Sequence, residues 1–292
     1  MHTLLKSLYP VLVILFFACQ QSPEADKSGK LKIIATTGMI ADAVANIGGD
    51  SLEVEALMGP GVDPHLYKAT QGDLKKLNQA DLVLYNGLLL EGKMGEVLAK
   101  LGRIKPVETV SSDIDPALLL NSPLYEDAYD PHIWFDVHLW KQAVIKISEA
   151  LQKHDPDNAS YYRQNTQIYQ TQLDALHQEV LSEIAQIPDE QRVLITAHDA
   201  FEYFGRAYAI QVRGLQGLST LTEFGLKDIT DLVQFIIERN IKAVFVETSI
   251  SERSINAVVE GCQKKGHQVR IGGSLYSDAM GAAGTPEGTY IG

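Results

Sequence analysis

The tripeptide Asp-Pro-His occurs twice in this chain, at residues 63–65 and again at 130–132. Proline fixes φ at about −65° and keeps the preceding residue out of helix, so each copy presents a histidine from a stiff turn. Those histidines are His65 and His132. Two further groups sit at comparable places. His198 lies in LITAHDAF, just past a strand-like run at 192–196, and Asp278 lies in LYSDAMG, after a run at 268–271 and a Gly272-Gly273 turn. In open α/β sheets, ligands bind in crevices at the C-terminal ends of strands. Three neutral imidazoles and one carboxylate converging there suit a borderline divalent ion such as Zn²⁺ or Mn²⁺, and suit Mg²⁺ or Ca²⁺ poorly. With a dication bound the set carries a charge of about +1, so nearby carboxylates are expected to orient the imidazoles. The candidates for that role are Asp63, Asp130 and Glu247.

A lone histidine in a loop is ordinarily a surface or core group. His2, His138, His154, His177 and His267 are therefore assigned no part in the site; His138, two residues past Asp136, could at most support it from behind. Asp-Pro is also common turn chemistry. What points to a metal is the joint placement of His65, His132, His198 and Asp278.

The elements that must position these residues alternate. LKIIATT, SLEVEALM and ADLVLYNG read as strands, with helices over MIADAVANIGG and ATQGDLKKLNQA between them. Residues 136–188 contain no strand-like run. VHLWKQAVIKISEALQKH is one helix there. A second follows Pro156, with Tyr162, Ile168, Tyr169, Leu173, Leu176, Val180 and Ile184 marking its apolar face. At about 28 residues it would be about 42 Å long, enough to run between two lobes. Beyond it RVLITAH, IQVRGL, AVFVETS and QVRIGG read as strands, with helices over DAFEYFGRAYAI, DLVQFIIERN and SERSINAVVEGCQKKG. The expected fold is thus α/β: two lobes, each a mostly parallel sheet flanked by helices, joined by one long backbone helix. The expected boundaries are an N-terminal lobe at 31–155, the bridging helix at 156–187 and a C-terminal lobe at 188–292.

The N-terminus reads as an export signal. MHTLLKSLYPVLVILFFAC carries an early Lys, an apolar run too short to span a bilayer, and Cys19 directly after the small Ala18. This resembles a bacterial lipoprotein signal over residues 1–18 with Cys19 lipidated, although Phe16-Phe17 departs from the usual pattern. Residues 19–30 read as a flexible polar tether. The protein is therefore expected outside the cytoplasm, lipid-anchored and facing the periplasm or the cell exterior. The mature chain keeps one other cysteine, Cys262, so no internal disulfide is expected. Across 292 residues, 45% are hydrophobic and 21% charged, a globular composition, and a net charge of −12 argues against a nucleic-acid partner.

GVDPHLYKATQGDLKKLNQADLVLYNGLLLEGKM, DPHIWFDVHLW, ITAHDAFEYFGRAYAI, GLSTLTEFGLKDITDLV and LYSDAMGAAGTPEGTYIG together resemble the manganese/zinc-specific solute-binding proteins of ABC transporters. This is the cluster A-I or TroA-like family, which includes the pneumococcal surface antigen A type. The likeness runs in order from Leu31 to Gly292. It implies two α/β lobes on one backbone helix, with metal ligands at His65, His132, His198 and Asp278. It also implies a monomer that hands Mn²⁺ or Zn²⁺, as cargo, to the permease of a transporter with its own ATPase subunits. The third ligand varies within the family, and His198 occurs in zinc, mixed and some manganese members. NSPLYEDAYDPH lacks the His-rich loop of dedicated zinc members, and LYSDAMG is closer to the manganese branch. The family usually continues past GTPEGTYIG with another helix, so a C-terminal helix is expected to be missing.

Other classes fit less well. A zinc hydrolase keeps an open coordination position, typically with three protein ligands, and no His-Glu-x-x-His helix occurs here. A vitamin B12 or siderophore binder would not need four metal-ligating side chains aimed at one point. A cell-adhesion role, sometimes attributed to such lipoproteins, has no dedicated surface in the sequence. Binding without catalysis is the expected activity, with only modest lobe movement about a long helix.

Overall fold

The first strand, β1 (Leu31–Ala35), buries Ile33, Ile34 and Ala35 in succession. A continuous apolar run of this kind belongs to a parallel sheet covered on both faces. The computed structural model describes residues 29–122, 127–221 and 224–292. The signal segment, Cys19 and most of the tether lie outside the described residues. No described helix is long and apolar enough to cross a membrane.

The N-terminal lobe continues with α1 (Gly38–Gly48), β2 (Leu52–Ala56), α2 (Gln71–Gln79), β3 (Leu82–Tyr85), α3 (Gly95–Leu101) and β4 (Val107–Thr109). Its strands are all parallel, in the order β2-β1-β3-β4. Thr70 and Asp73 close a reciprocal capping box that starts α2 where the loop carrying His65 ends. Residues 136–188 hold no strand. Helix α4 (Val137–His154) starts on the Asp136 side chain, and Pro156 opens a single 3₁₀ turn before α5 (Ala159–Ala185).

At 27 residues, α5 is about 40 Å long. It lies against α1 and α4 in the first lobe and reaches α6 (Glu202–Tyr208) in the second. Its inner stripe is Tyr162, Tyr169, Leu173 and His177, with Leu176, Val180 and Ile184 partly covered. Ile168 does not belong to that stripe and is 52% exposed. It stands one residue before Tyr169, and one helical step rotates a side chain by about 100°.

The second lobe comprises β5 (Val193–His198), α6, β6 (Gln211–Gln216), α7 (Leu226–Glu238), β7 (Ala243–Glu247), α8 (Arg253–Lys264) and β8 (Arg270–Leu275). Strands β5 and β6 pair in parallel, as do β7 and β8, and β5 lies alongside β7. Here the structure corrects the sequence reading twice. His198 is the last residue of β5 rather than past it, and Gly272-Gly273 lie within β8 rather than in a turn. A Cβ on Gly272 would stand 3.0 Å from the Phe245 ring and 3.2 Å from Ala243 Cβ, next to an irregular register at Val244/Phe245. Glycine there makes room for a neighbouring strand's side chain.

The first core joins α1, α4 and α5, and it also takes in Tyr203 and Tyr208 of α6. The second lies between α7, α8 and the β5/β7 strands and includes the buried Cys262. The lobes therefore share one apolar cluster beneath the cleft.

Candidate metal site

All four candidate donors lie on loops or strand ends at the C-terminal edges of the parallel sheets, and all are 0–2% exposed. His65 comes from the loop between β2 and α2, and His132 from the loop that leads into α4. His198 ends β5, and Asp278 follows β8 by three residues. The two Asp-Pro-His turns share one local device. Asp63 Oδ1 accepts the His65 backbone N–H at 2.8 Å, and Asp130 Oδ1 accepts that of His132 at 2.9 Å. Such Asx turns hold the histidine backbone in place.

The turns then diverge. Asp130 Oδ1 also takes the His132 ring, with Nδ1 at 2.7 Å. Glu247, the last residue of β7, does both jobs for His198, accepting from its backbone N–H at 2.9 Å and from Nδ1 at 2.6 Å. A carboxylate accepts here, so in each case Nδ1 carries a proton, and once the ring is neutral Nε2 is the nitrogen that presents a lone pair. Asp63 does not orient a ring in this way, contrary to the sequence expectation. Its Oδ1 is taken by the main chain of His65 and Leu66, and its Oδ2 accepts from Thr220 Oγ1 at 2.6 Å.

The donor atoms converge. His65 Nε2 is 3.4 Å from His132 Nε2 and 3.7 Å from Asp278 Oδ2. His132 Nε2 is 3.4 Å from Asp278 Oδ1, and His198 Nε2 is 3.2 Å from Oδ2. One atom from each residue lies within 4.8 Å of all the others. Donors about 2.1 Å from a shared ion sit about 3.4 Å apart at the corners of a tetrahedron. His198 Nε2 and both Asp278 oxygens are buried and take no hydrogen bond among the described residues. Buried polar atoms are ordinarily partnered. Three imidazole nitrogens and a carboxylate converging on one point, with the His198 nitrogen and both carboxylate oxygens unpartnered, are what a borderline dication would complete.

Without an ion, charge is shared unevenly. Burial pulls the His65 pKa down to about 3, outweighing Asp278, while His132 and His198 push in the same direction as burial. Burial also works against charge on His132, but Asp130 and Asp278 overcome it and hold that imidazole at about 9. His198 is raised well above the ordinary value, with Asp278 and Glu247 outweighing burial. Asp278 is held well below it, because the His198 and His132 imidazoles outweigh burial. Metal-free, the cluster is thus two imidazolium groups around one carboxylate.

The remaining described histidines stay outside. His177 is buried under His138, ring centroids 4.2 Å apart, and its Nδ1 meets the Tyr208 hydroxyl at 3.1 Å. His154 lies by Glu108, and His267 by the Ile241 carbonyl. Residues absent from the sequence reading also shape the site. Trp134 Nε1 donates across the cleft to the Ser277 carbonyl, next to Asp278, at 3.0 Å. Tyr203 Oη donates to the Asp130 carbonyl at 2.9 Å. Glu91, fully buried, accepts from Thr36 Oγ1 and the Asn86 and Gly87 N–H groups, and Asn86 Nδ2 in turn donates to Pro131 O at 3.0 Å. The WFD run beside DPH was a usable signal for Trp134; for the others the sequence holds none.

Fold and cleft define a two-lobed binding protein of the helix-bridged kind, with a cluster of four groups between its lobes that could hold a metal ion. Residues 33–292 match the family described as ZnuA, zinc-uptake complex component A, periplasmic, and the chain belongs to that family. It is 54% identical to the manganese-binding lipoprotein MntA of Bacillus subtilis over 273 residues, 91% of this chain and 89% of that one. It is 49% identical to the zinc-binding protein TroA of Treponema pallidum over 271 residues, 93% of this chain and 87% of that one. The solved structure of periplasmic TroA from Treponema pallidum superimposes with a TM-score of 0.88 at 49% identity, covering 90% of this chain and 94% of that one.

Proposed function

We propose that this protein is the extracytoplasmic solute-binding component of an ABC transporter. It captures Mn²⁺ or Zn²⁺ between its lobes and delivers the ion to a membrane permease for uptake. The observation that carries this reading is the buried convergence of His65, His132, His198 and Asp278, with three donor atoms left open. These four are the metal ligands. Asp130 and Glu247 hold the His132 and His198 rings, and Asp63 holds the turn of His65. Two relatives named for manganese and for zinc support both ions as cargo.

The protein binds and performs no reaction: four side chains occupy the positions around the ion, whereas a catalytic zinc keeps one for water. It acts as a monomer tethered by a lipidated Cys19, with the lobes at 31–155 and 188–292 on either side of the 156–187 bridge. A His₃Asp set binds Zn²⁺ more tightly than Mn²⁺ whichever is transported, so affinity alone does not name the cargo.

Titration calorimetry with Mn²⁺ and Zn²⁺ tests the site. His65→Ala and Asp278→Ala are each expected to weaken binding by roughly a hundredfold or more, since loss of even a supporting group costs about 10–100-fold. Unchanged affinity in both variants would sink the assignment. Metal content of protein isolated from its host identifies the cargo.

A further inference from the structure

The four donors are not held alike. His132 and His198 each have a carboxylate on Nδ1, whereas among the described residues no carboxylate other than Asp278 approaches the His65 ring, and Asp278 does so at Nε2. What fixes His65 is its turn, and that turn is gripped from the opposite lobe. Thr220, in the loop after β6, donates its hydroxyl to Asp63 Oδ2 at 2.6 Å. On the other side of the turn, a Cβ on Gly61 would lie 3.3 Å from the Thr248 carbonyl, which follows β7. Gly61 has φ +70°, so both the conformation and the close approach call for glycine.

His65 also lines a cavity of about 230 Å³ between the lobes. Its walls include Leu88 and Leu89 from the first lobe and Leu218 and Leu221 from the second, and Leu89 is 67% exposed at the rim. The first-lobe wall is built to stay put. Gly87, Leu88 and Leu89 run consecutively at φ +82°, +52° and +66°, and the buried Glu91 carboxylate holds the N–H groups that start the run. Two leucines in left-handed conformation persist only where their surroundings impose it. The second-lobe wall comes from the loop that carries Thr220.

We propose that Thr220 is a positioning residue that sets how long the metal stays. Its cross-cleft hydrogen bond holds the His65 turn closed, and breaking it frees His65 first and lets the ion leave through this cavity. The inference rests on the metal-capture reading above and adds the order of release to it.

The test is dissociation of Mn²⁺ and Zn²⁺ from the loaded protein into excess metallochromic chelator. Thr220→Val, which keeps the shape and removes the hydroxyl, is expected to release metal on the order of tenfold faster, as loss of a hydrogen bond to a charged group predicts. Thr220→Ala, without added bulk, should do the same, and Thr220→Ser should restore the rate to within about twofold of wild type. The Co²⁺ absorption spectrum of all three should match wild type, because the donor set is intact. Wild-type rates in both the Val and Ala variants overturn the proposal. So does failure of Ser to rescue, or a fall in metal-free melting temperature that accounts for the whole effect. A wild-type protein that takes up neither Mn²⁺ nor Zn²⁺ defeats the capture reading instead, before Thr220 is in question.

Discussion

His132 and His198 hold protons in the metal-free site despite burial, because Asp130, Glu247 and Asp278 surround them with negative charge. A bound dication must displace those protons, so binding is competitive with acid. Two protons released per ion would make apparent affinity rise by up to about a hundredfold per pH unit below about pH 9, where His132 begins to deprotonate by itself. His65, neutral down to about pH 3, contributes nothing to this slope. Stability of the metal-free form moves the other way. Imidazoles raised in the fold stabilise it fully below their unfolded value of about 6.5, and that contribution fades as pH climbs toward about 9 for His132. Calorimetry at pH 7 in buffers of different ionisation enthalpy should count about two protons released per metal. A count near zero would contradict the charge distribution.

At the scale of elements, α5 is the member on which the rest depends, and its register is testable. Leu173 is fully buried on the inner stripe, whereas Ile168 is half exposed. Leu173→Ala should cost about 3 kcal/mol and lower the metal-free Tm by roughly 5–10 °C. Ile168→Ala should cost less than about 1 kcal/mol. Thermal melts that reverse this order would refute the register.

The same helix explains what could be read in advance. α1, α4, α5 and the buried runs β1 and β3 carry strong periods or unbroken apolar stretches, so their sequences announce them. β4 has three half-buried residues and α3 only seven, too few to establish a period. In β8 two adjacent glycines carry a turn signal in sequence, whereas in the fold one of them makes room for Phe245. The four donors were legible because strand ends can be located from pattern and imidazoles are scarce. Thr220 and Tyr203 were not, since their partners come from distant segments and are set by tertiary packing; Glu91 was not, since its role depends on burial and on Thr36, 55 residues away.

At the scale of the molecule, the lobes are not independent bodies. Tyr203 and Tyr208 of the second lobe sit in the first lobe's core, and Trp134 and Ser277 join across the cleft. Unfolding should therefore be one cooperative transition that metal shifts as a whole. At free metal about a thousand times Kd the added stability is about 4 kcal/mol. Differential scanning calorimetry with and without chelator should give single peaks displaced from each other; two separately melting peaks would contradict the shared core.

Strand β8 has a consequence of a different kind. It pairs only with β7 among the described strands, and five of its six residues are exposed. A bare strand edge is a template for pairing with another copy, and the two glycines and Ile271 do little to discourage it. Net charge opposes that pairing: at −12, each molecule repels the next. That repulsion reaches only about 8 Å in physiological salt and about 3 Å at 1 M. Ionic strength is thus expected to govern how readily the described β8 edges of two copies meet, and low salt to keep them apart.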